Sequence, residues 1–235
     1  MEKGARYRMV TLLQELLSLA AAGMMLVTAP LDTAAPHNDV DGLLFLANRE
    51  WRVSKTYAPE LREANVPGQV RRMRPEAAAA LEEMFAACKA EMGVTLTSVS
   101  GYRSYEKQST LYSNKLKSVG GSQKRADEYV ARPGASEHQL GMAMDVGQSG
   151  KTNLNASFGN TQGGQWIREH CWEYGFILRY QEDWEDITGY KYEPWHVRYV
   201  GKENAAMIYQ NLMPLETWLT LLRTQAMLDL MITQE

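Results

Sequence analysis

Apolar residues recur at helical spacing between Pro75 and Met92, and this pattern predicts a helix with proline in its first turn. Gly93 follows directly and supplies the stop that helices commonly need. The next stretch, from Val94 to Ser100, is rich in β-branched residues and ends at Gly101, which predicts a strand. A helix followed by a strand is therefore the most clearly defined part of the chain.

The other predicted elements are short and irregularly ordered. They are a strand or turn over Leu43–Asn48, a helix capped by Ser104 and running to about Lys117, a helix over Arg125–Ala131, a strand over Met142–Val146, a helix over Gln165–Tyr174 closed by Gly175, strands over Phe176–Arg179 and His196–Val200, and helices over Lys202–Leu212 and Leu215–Leu222. Because helices and strands do not alternate regularly and no segment repeats, we predict an α+β fold. Its centre would be a mostly antiparallel sheet with flanking helices.

The first thirty residues differ from the rest of the chain. Lys3, Arg6 and Arg8 precede an apolar run without charges from Leu16 to Val27. This pattern predicts an export signal, since the run is shorter than the ~18 residues of a typical membrane span. Extended back to Met9 it is long enough for an uncleaved membrane anchor, and an amphipathic or buried helix is the alternative.

Size and charge narrow the choice of function. The 235 residues fit one soluble domain with appendages, so we predict a leader or anchor with linker over 1–37, a catalytic domain over 38–225 and a tail over 226–235. The 25 basic and 28 acidic residues give a net charge of -3 without a basic block, which argues against nucleic acid as a partner.

Cys88 and Cys171 lie in apolar stretches and are predicted to be core thiols. The sequence leaves open whether a single disulfide joins them.

Two histidines and an aspartate could hold a zinc ion. A catalytic zinc site usually has three nitrogen or oxygen ligands from the protein and keeps one position for water. His138 and Asp145 flank Gly141, which allows a tight turn, and we expect Asp145 at the end of a strand. His196 completes the trio, so the sequence predicts zinc at His138, Asp145 and His196.

Two further residues suit hydrolysis at that metal. Glu193 precedes His196 by three residues, but Pro194 lies between them, so we predict a turn or strand start and not a helix. A glutamate there can lie over a metal-bound water and act as general base. Arg103 follows the predicted strand that ends at Ser100, and its guanidinium could stabilise an oxyanion beside the metal.

The chain contains three motifs that, in their order along the sequence, resemble those of the VanY-type D-alanyl-D-alanine carboxypeptidases. These enzymes are relatives of the VanX dipeptidases and of the hedgehog and lysostaphin zinc folds. The motifs are Ser-Gly-Tyr-Arg-Ser from Ser100, Ser-x-His-x-x-Gly-x-Ala-x-Asp from Ser136, and Glu-Pro-Trp-His from Glu193. The resemblance extends from about Asn38 to Leu222. It implies the same zinc ligands, Glu193 as general base and Arg103 as the group that stabilises the transition state.

The resemblance also implies a substrate and a location. Ser136 and Gln108 match positions that contact substrate in such enzymes. The substrate would be the peptidoglycan stem peptide or its precursor, from which the terminal D-alanine is removed. That implies an exported or membrane-anchored, extracytoplasmic bacterial enzyme, whose oligomeric state the sequence leaves open.

Several alternatives remain at this point. The same metal motif occurs in L,D-carboxypeptidases and in L-alanyl-D-glutamate endopeptidases, whose pocket loops differ. A substrate carboxylate needs a cation or hydroxyl, which Ser136 or Arg198 could supply. Ser104 to Lys107 fits the Ser-x-x-Lys of serine-type D,D-peptidases, but the other motifs of that class are absent. A non-catalytic, zinc-stabilised module that binds wall peptides would not need Glu193 or Arg103.

Overall fold

A long helix, α1 (Pro75–Met92), forms as the sequence predicts in a computed structural model that describes residues 39–232. Gly93 ends it in the left-handed conformation, with φ of 69°. One face of α1 is buried against the sheet through Ala77, Ala78, Leu81, Met84, Phe85 and Cys88. Residues 1–38, which include the predicted leader or anchor, lie outside the described part. Between residues 39 and 232, none of the helices has both the length and the apolar composition to cross a bilayer.

The central sheet is antiparallel, as predicted. Two short strands come first, β1 (Arg62–Glu63) and β2 (Arg72–Met73), and pair with each other. The larger sheet has four strands in the order β3 (Leu96–Ser100), β4 (Ala143–Gln148), β6 (Glu193–Tyr199) and β5 (Phe176–Tyr180). Every pairing in it is antiparallel. The predicted α+β class is therefore confirmed.

Side chains along β4 point alternately to the apolar core and to the polar face of the sheet. Met144 and Val146 belong to the cluster that packs against α1, together with Val197 of β6. Asp145 lies between them in sequence, so its side chain points to the opposite face. On β3 the register shifts between Ser98 and Ser100, which brings Ser100 opposite Asp145. This register shift is a β-bulge, which changes the direction in which the following side chains point. Here it places the Ser100 side chain on the polar face.

The remaining helices range from four to eighteen residues in length. They are α2 (Tyr105–Ser118), α3 (Gln123–Asp127), α4 (Gln162–His170), α5 (Glu185–Thr188), α6 (Lys202–Asn211) and α7 (Leu215–Ile232), with 3-10 turns at Glu137–Leu140, Ala156–Asn160 and Cys171–Tyr174. Ser104 caps α2 as predicted, its hydroxyl accepting a hydrogen bond from the Lys107 amide. Helices α6 and α7 pack on β5 through a second apolar cluster.

Residues 43–48, predicted as a strand or a turn, form turns and extended chain without a strand. Other boundaries differ from the prediction. The helix predicted over Arg125–Ala131 instead occupies Gln123–Asp127, because the Ser122 hydroxyl accepts from the Arg125 amide and starts it earlier. The last helix continues well past Leu222, through residues assigned to a tail.

Both cysteines are buried free thiols. Burial raises the pKa of Cys88 to about 11 and that of Cys171 to about 12. Thiols held in the protonated form are poor nucleophiles, so both are core residues, as the sequence predicts.

Candidate metal and active site

Asp145 and His196 are directly opposite each other on neighbouring strands β4 and β6. Opposite residues of an antiparallel pair project to the same face, so the sheet register alone brings these side chains together. The Nδ1 atom of His196 lies 3.1 Å from Oδ1 of Asp145. Both residues are only 4% exposed. Asp145 is the third residue of its strand, so the expectation that it would end the strand was wrong.

His138 reaches the same place from the turn Glu137–Leu140. Gly141 follows with φ of 69°, and a Cβ there would lie 2.8 Å from Leu61 Cδ2, so this position requires glycine. The Nδ1 atom of His138 lies 2.8 Å from the carbonyl oxygen of Gly101. This contact fixes Nδ1 as the donor and leaves Nε2 directed at Asp145 Oδ2, 3.3 Å away.

These three side chains fit a divalent cation. One ligand atom from each lies within 4.8 Å of the others, and between residues 39 and 232 this is the one group of its kind. Ligand atoms at about 2.0 Å from zinc in a tetrahedral site lie about 3.3 Å apart. His138 Nε2 lies 3.3 Å from Oδ2 of Asp145, and His196 Nδ1 lies 3.1 Å from Oδ1, so each histidine is close to that spacing from one of the two carboxylate oxygens.

The electrostatics of the site also suit a cation. Burial lowers the pKa of His138. Burial alone would lower the pKa of His196, but hydrogen bonds to Asp145 and Glu137 raise it to about 9. Burial alone would raise the pKa of Asp145, yet His138 and His196 hold it well below its usual range. Without a metal, a proton on His196 therefore balances the aspartate, and a bound cation would replace that proton.

Glu193 is the first residue of β6, which confirms the prediction of a strand start. Its Oε2 atom lies 3.8 Å from Nδ1 of His196. Burial raises the pKa of Glu193 to about 8, a shift that His196 opposes and Asp145 reinforces. The carboxyl group therefore borders the metal cluster without belonging to it.

Arg103 also borders the cluster. Its Nη2 donates to the Ser100 hydroxyl at 2.9 Å and lies 3.5 Å from Asp145 Oδ2. Its Nη1 donates to Oε1 of Gln108 at 2.8 Å. Gln108 is 1% exposed, and its Nε2 donates to the Ala131 carbonyl at 2.6 Å. Both ends of the Gln108 amide are therefore bonded inside the protein.

A family model described as VanY, D-alanyl-D-alanine carboxypeptidase, matches residues 70–202, which contain the whole cluster. The chain belongs to the VanY family. The prediction of a zinc metallopeptidase with this fold is thereby confirmed at the level of the family.

Individual proteins with similar sequences or structures support this family assignment. The protein YodJ of Bacillus subtilis (strain 168) is 42% identical over 76% of this chain and 67% of its own. The solved LdcB LD-carboxypeptidase is 43% identical, with a TM-score of 0.72 over 77% of this chain and 86% of its own. A mutant of the D,D-pentapeptidase VanY, solved with Zn(II), is 36% identical, with a TM-score of 0.64 over 75% of this chain and 98% of its own. The chain spans between 40% and 71% of the length of its curated relatives.

Two arginines and a glutamate near this VanY-family site have structural surroundings that the sequence did not reveal. Arg198 is fully buried and donates to the carbonyls of Leu43 and Phe45, so it is not free to hold a substrate carboxylate. Glu137, which lies between Ser136 and His138 in the motif, is fully buried between Arg179 and Arg198. The sequence offered no signal for Glu137, since a glutamate in a polar turn is normally solvated.

Ser136 immediately precedes the turn that carries His138. It is 4% exposed, and its hydroxyl does not cap that turn. His170 lies on α4, and its Nδ1 is 2.8 Å from Oε1 of Glu173.

Proposed function

We propose that this protein is a zinc carboxypeptidase that removes the terminal D-alanine from peptidoglycan stem peptides. The observation that carries the proposal is that Glu193 and Arg103 both border the cluster of His138, Asp145 and His196, Glu193 at 3.8 Å from His196 and Arg103 at 3.5 Å from Asp145. A module that only binds wall peptides would not need those two flanking groups. Membership of the VanY family supports the substrate class.

His138, Asp145 and His196 would hold the zinc ion. When bound, zinc supplies a coordinated water whose pKa is lowered to about 7 and polarises a carbonyl oxygen. The chain would contribute one negative charge from Asp145 and two neutral imidazoles, so the site keeps a net positive charge when loaded. That charge favours the ionised form of nearby carboxyl groups.

Glu193 would act as the general base. Its pKa of about 8 belongs to the metal-free site, where burial raises it and the negative charge of Asp145 raises it further. A cation in the cluster shifts Glu193 toward the carboxylate, which is the form that a base requires. The Oε atoms would then accept a proton from the attacking water and pass it to the amine of the leaving D-alanine.

Arg103 would stabilise the negative charge that develops on the scissile carbonyl oxygen. Gln108 and Ser100 hold its guanidinium by hydrogen bonds of 2.8 and 2.9 Å. A donor fixed before the reaction costs no reorganisation when the charge develops. Gln108 was predicted to contact substrate, but its bonded amide supports a positioning role through Arg103. Ser136 remains our candidate for direct substrate contact.

L,D-carboxypeptidase activity is the second candidate. The specific observation in its favour is that the LdcB structure matches this chain with a higher TM-score and identity, 0.72 and 43%, than the zinc-bound VanY structure, 0.64 and 36%. Both reactions would use the same metal cluster, base and arginine. They differ in the configuration of the residue before the scissile bond.

Mass spectrometry of purified stem peptides separates these activities. The protein is incubated with a pentapeptide ending in D-Ala-D-Ala and with a tetrapeptide ending in a single D-alanine, each with and without a chelator. Loss of one alanine from the pentapeptide supports D,D activity, and loss from the tetrapeptide supports L,D activity. Loss of a dipeptide, internal cleavage, or no chelator-sensitive product would contradict a carboxypeptidase.

We also propose that the protein acts outside the cytoplasmic membrane. The proposal rests on its substrate class and on the basic and apolar pattern of the first thirty residues, which lie outside the described structure. Residues 38–225 would form the catalytic domain. Fractionation of cells that express the full chain tests this, because a protein found only in the cytosol would contradict it.

A further inference from the structure

Glu137 is a fully buried carboxylate to which the mechanism so far assigns no role. It is next to the metal ligand His138 in sequence, but its side chain contacts other residues. Oε1 lies 2.8 Å from Nε of Arg179 and 3.1 Å from Nη1 of Arg198. Oε2 lies 3.4 Å from Nε2 of His196. One oxygen therefore faces two arginines, and the other faces a metal ligand.

This carboxylate is enclosed by positive charge, since Arg179 and Arg198 both contact it inside the protein. Arg179 is itself paired with Glu216 of α7 through contacts of 2.9 and 2.6 Å. Two arginines thus face two glutamates, and the buried charges compensate each other. Because a buried charge without partners is strongly destabilising, each member of this group depends on the others.

The imidazole of His196 has a defined orientation within these contacts. Nδ1 faces Asp145 Oδ1 at 3.1 Å and Glu193 Oε2 at 3.8 Å, while Nε2 faces Glu137. The Tyr180 ring packs against the imidazole with 5.0 Å between centroids. His138 has the reverse arrangement, since its Nδ1 faces a backbone carbonyl and its Nε2 faces the cluster.

We propose that Glu137 is a positioning residue for the metal site. Its Oε2 accepts the Nε2–H of His196, fixes the tautomer with the proton on Nε2, and so directs the Nδ1 lone pair to the zinc ion. Histidine ligands commonly donate their second ring nitrogen to a carboxylate or carbonyl in this way. Arg179 and Arg198 hold the other oxygen of the carboxylate. This inference rests on the zinc site of the proposed function.

Nitrogen-15 NMR of the zinc-loaded wild-type protein tests the tautomer directly. The long-range proton–nitrogen correlations of the His196 ring are expected to show a proton on Nε2 and a metal-bound Nδ1. A proton on Nδ1 would overturn the proposal without any variant. If the wild type binds no zinc, the proposed function fails first, which separates the two outcomes.

Zinc affinity of Glu137→Gln, measured by competition with a chelator, tests the role of the charge. We expect affinity to fall roughly 10- to 100-fold and the absorption spectrum of the cobalt-substituted protein to change. Glu216→Gln is the matched control, because it also removes a partner of Arg179 but leaves Glu137 beside His196. Wild-type affinity in Glu137→Gln, or an equal loss in Glu216→Gln, would overturn the proposal. If Glu137→Gln does not fold, the NMR measurement decides.

Discussion

The carboxylate of Asp145 and the imidazole of His196 meet because the two residues are paired across neighbouring antiparallel strands. Their approach is therefore set by backbone hydrogen bonds of the sheet and not by the metal. The core behind them, formed by Met144 and Val197, fixes the same register from the other face. A site built in this way is organised before the metal arrives.

Removal of the metal should abolish turnover but leave the fold intact. Chelator-treated protein is expected to keep its far-ultraviolet circular dichroism and to regain activity when zinc is added. Its melting temperature should fall, because a ligand at roughly 1,000 times its Kd stabilises the folded state by about 4 kcal/mol. Loss of the helical signal on chelation would show that the fold depends on the metal.

Glu193→Gln should separate metal binding from chemistry. The amide cannot accept the proton, so we expect kcat to fall by roughly 100- to 10,000-fold. Zinc content, measured by elemental analysis, should stay at the wild-type value because Glu193 is not among the three ligands. Unchanged turnover in the zinc-loaded variant would reject Glu193 as the base.

Gln108→Leu should impair Arg103 without removing it. A hydrogen bond to a charged group is worth about 1.5–3 kcal/mol, so kcat should fall roughly 10- to 100-fold while zinc content is unchanged. Gln108→Glu is the matched control, since it keeps an acceptor for Arg103 but loses the donor to Ala131. Steady-state kinetics should find more activity in the glutamate variant. Equal losses in both would contradict a positioning role.

The pairing of Arg62 with Glu82 should make stability depend on pH. Arg62 Nη1 donates to Glu82 Oε1 at 2.6 Å, and this bond lowers the pKa of Glu82 below its ordinary 4.5. The stabilisation is therefore fully present above about pH 4.5 and is lost as the pH falls through the lower, folded-state value. Because both side chains are about one-third exposed, it amounts to no more than about 1 kcal/mol.

Urea unfolding of Glu82→Gln at several pH values measures this contribution. The variant should be less stable than the wild type at about pH 7, and the difference should shrink at pH values below 4.5. Glu83→Gln is the control, since Glu83 is 60% exposed and contacts Lys202 only at 3.5 Å. A difference that persists undiminished in acid would contradict the assignment.

The sequence predicted the residues of the metal cluster better than their surroundings. His138, Asp145 and His196 belong to motifs with characteristic spacing, and α1 has clear start and stop residues. The position of Asp145 inside β4 was missed because spacing along the chain does not report strand register. Glu137 was missed for a related reason, since its partners Arg179 and Arg198 are distant in sequence and meet it only in the folded chain.

The extent of the last helix was also underestimated. The pattern predicted an end at Leu222, but α7 continues to Ile232. Apolar residues such as Leu228 and Met231 are exposed there, so burial does not mark this part of the helix. The residues assigned to a tail are good helix formers, and intrinsic propensity explains their conformation.

The contact between Arg179 and Glu216 makes the C-terminal helix part of the support of the catalytic centre. Glu216 lies beyond residue 202, where the match to the family model ends. A hybrid enzyme that joined residues 70–202 to the C-terminal segment of a relative would keep all three residues of the candidate metal cluster. It would nevertheless remove Glu216, one of the two glutamates that pair with the buried guanidinium of Arg179, unless the new segment brought a carboxylate to the same place.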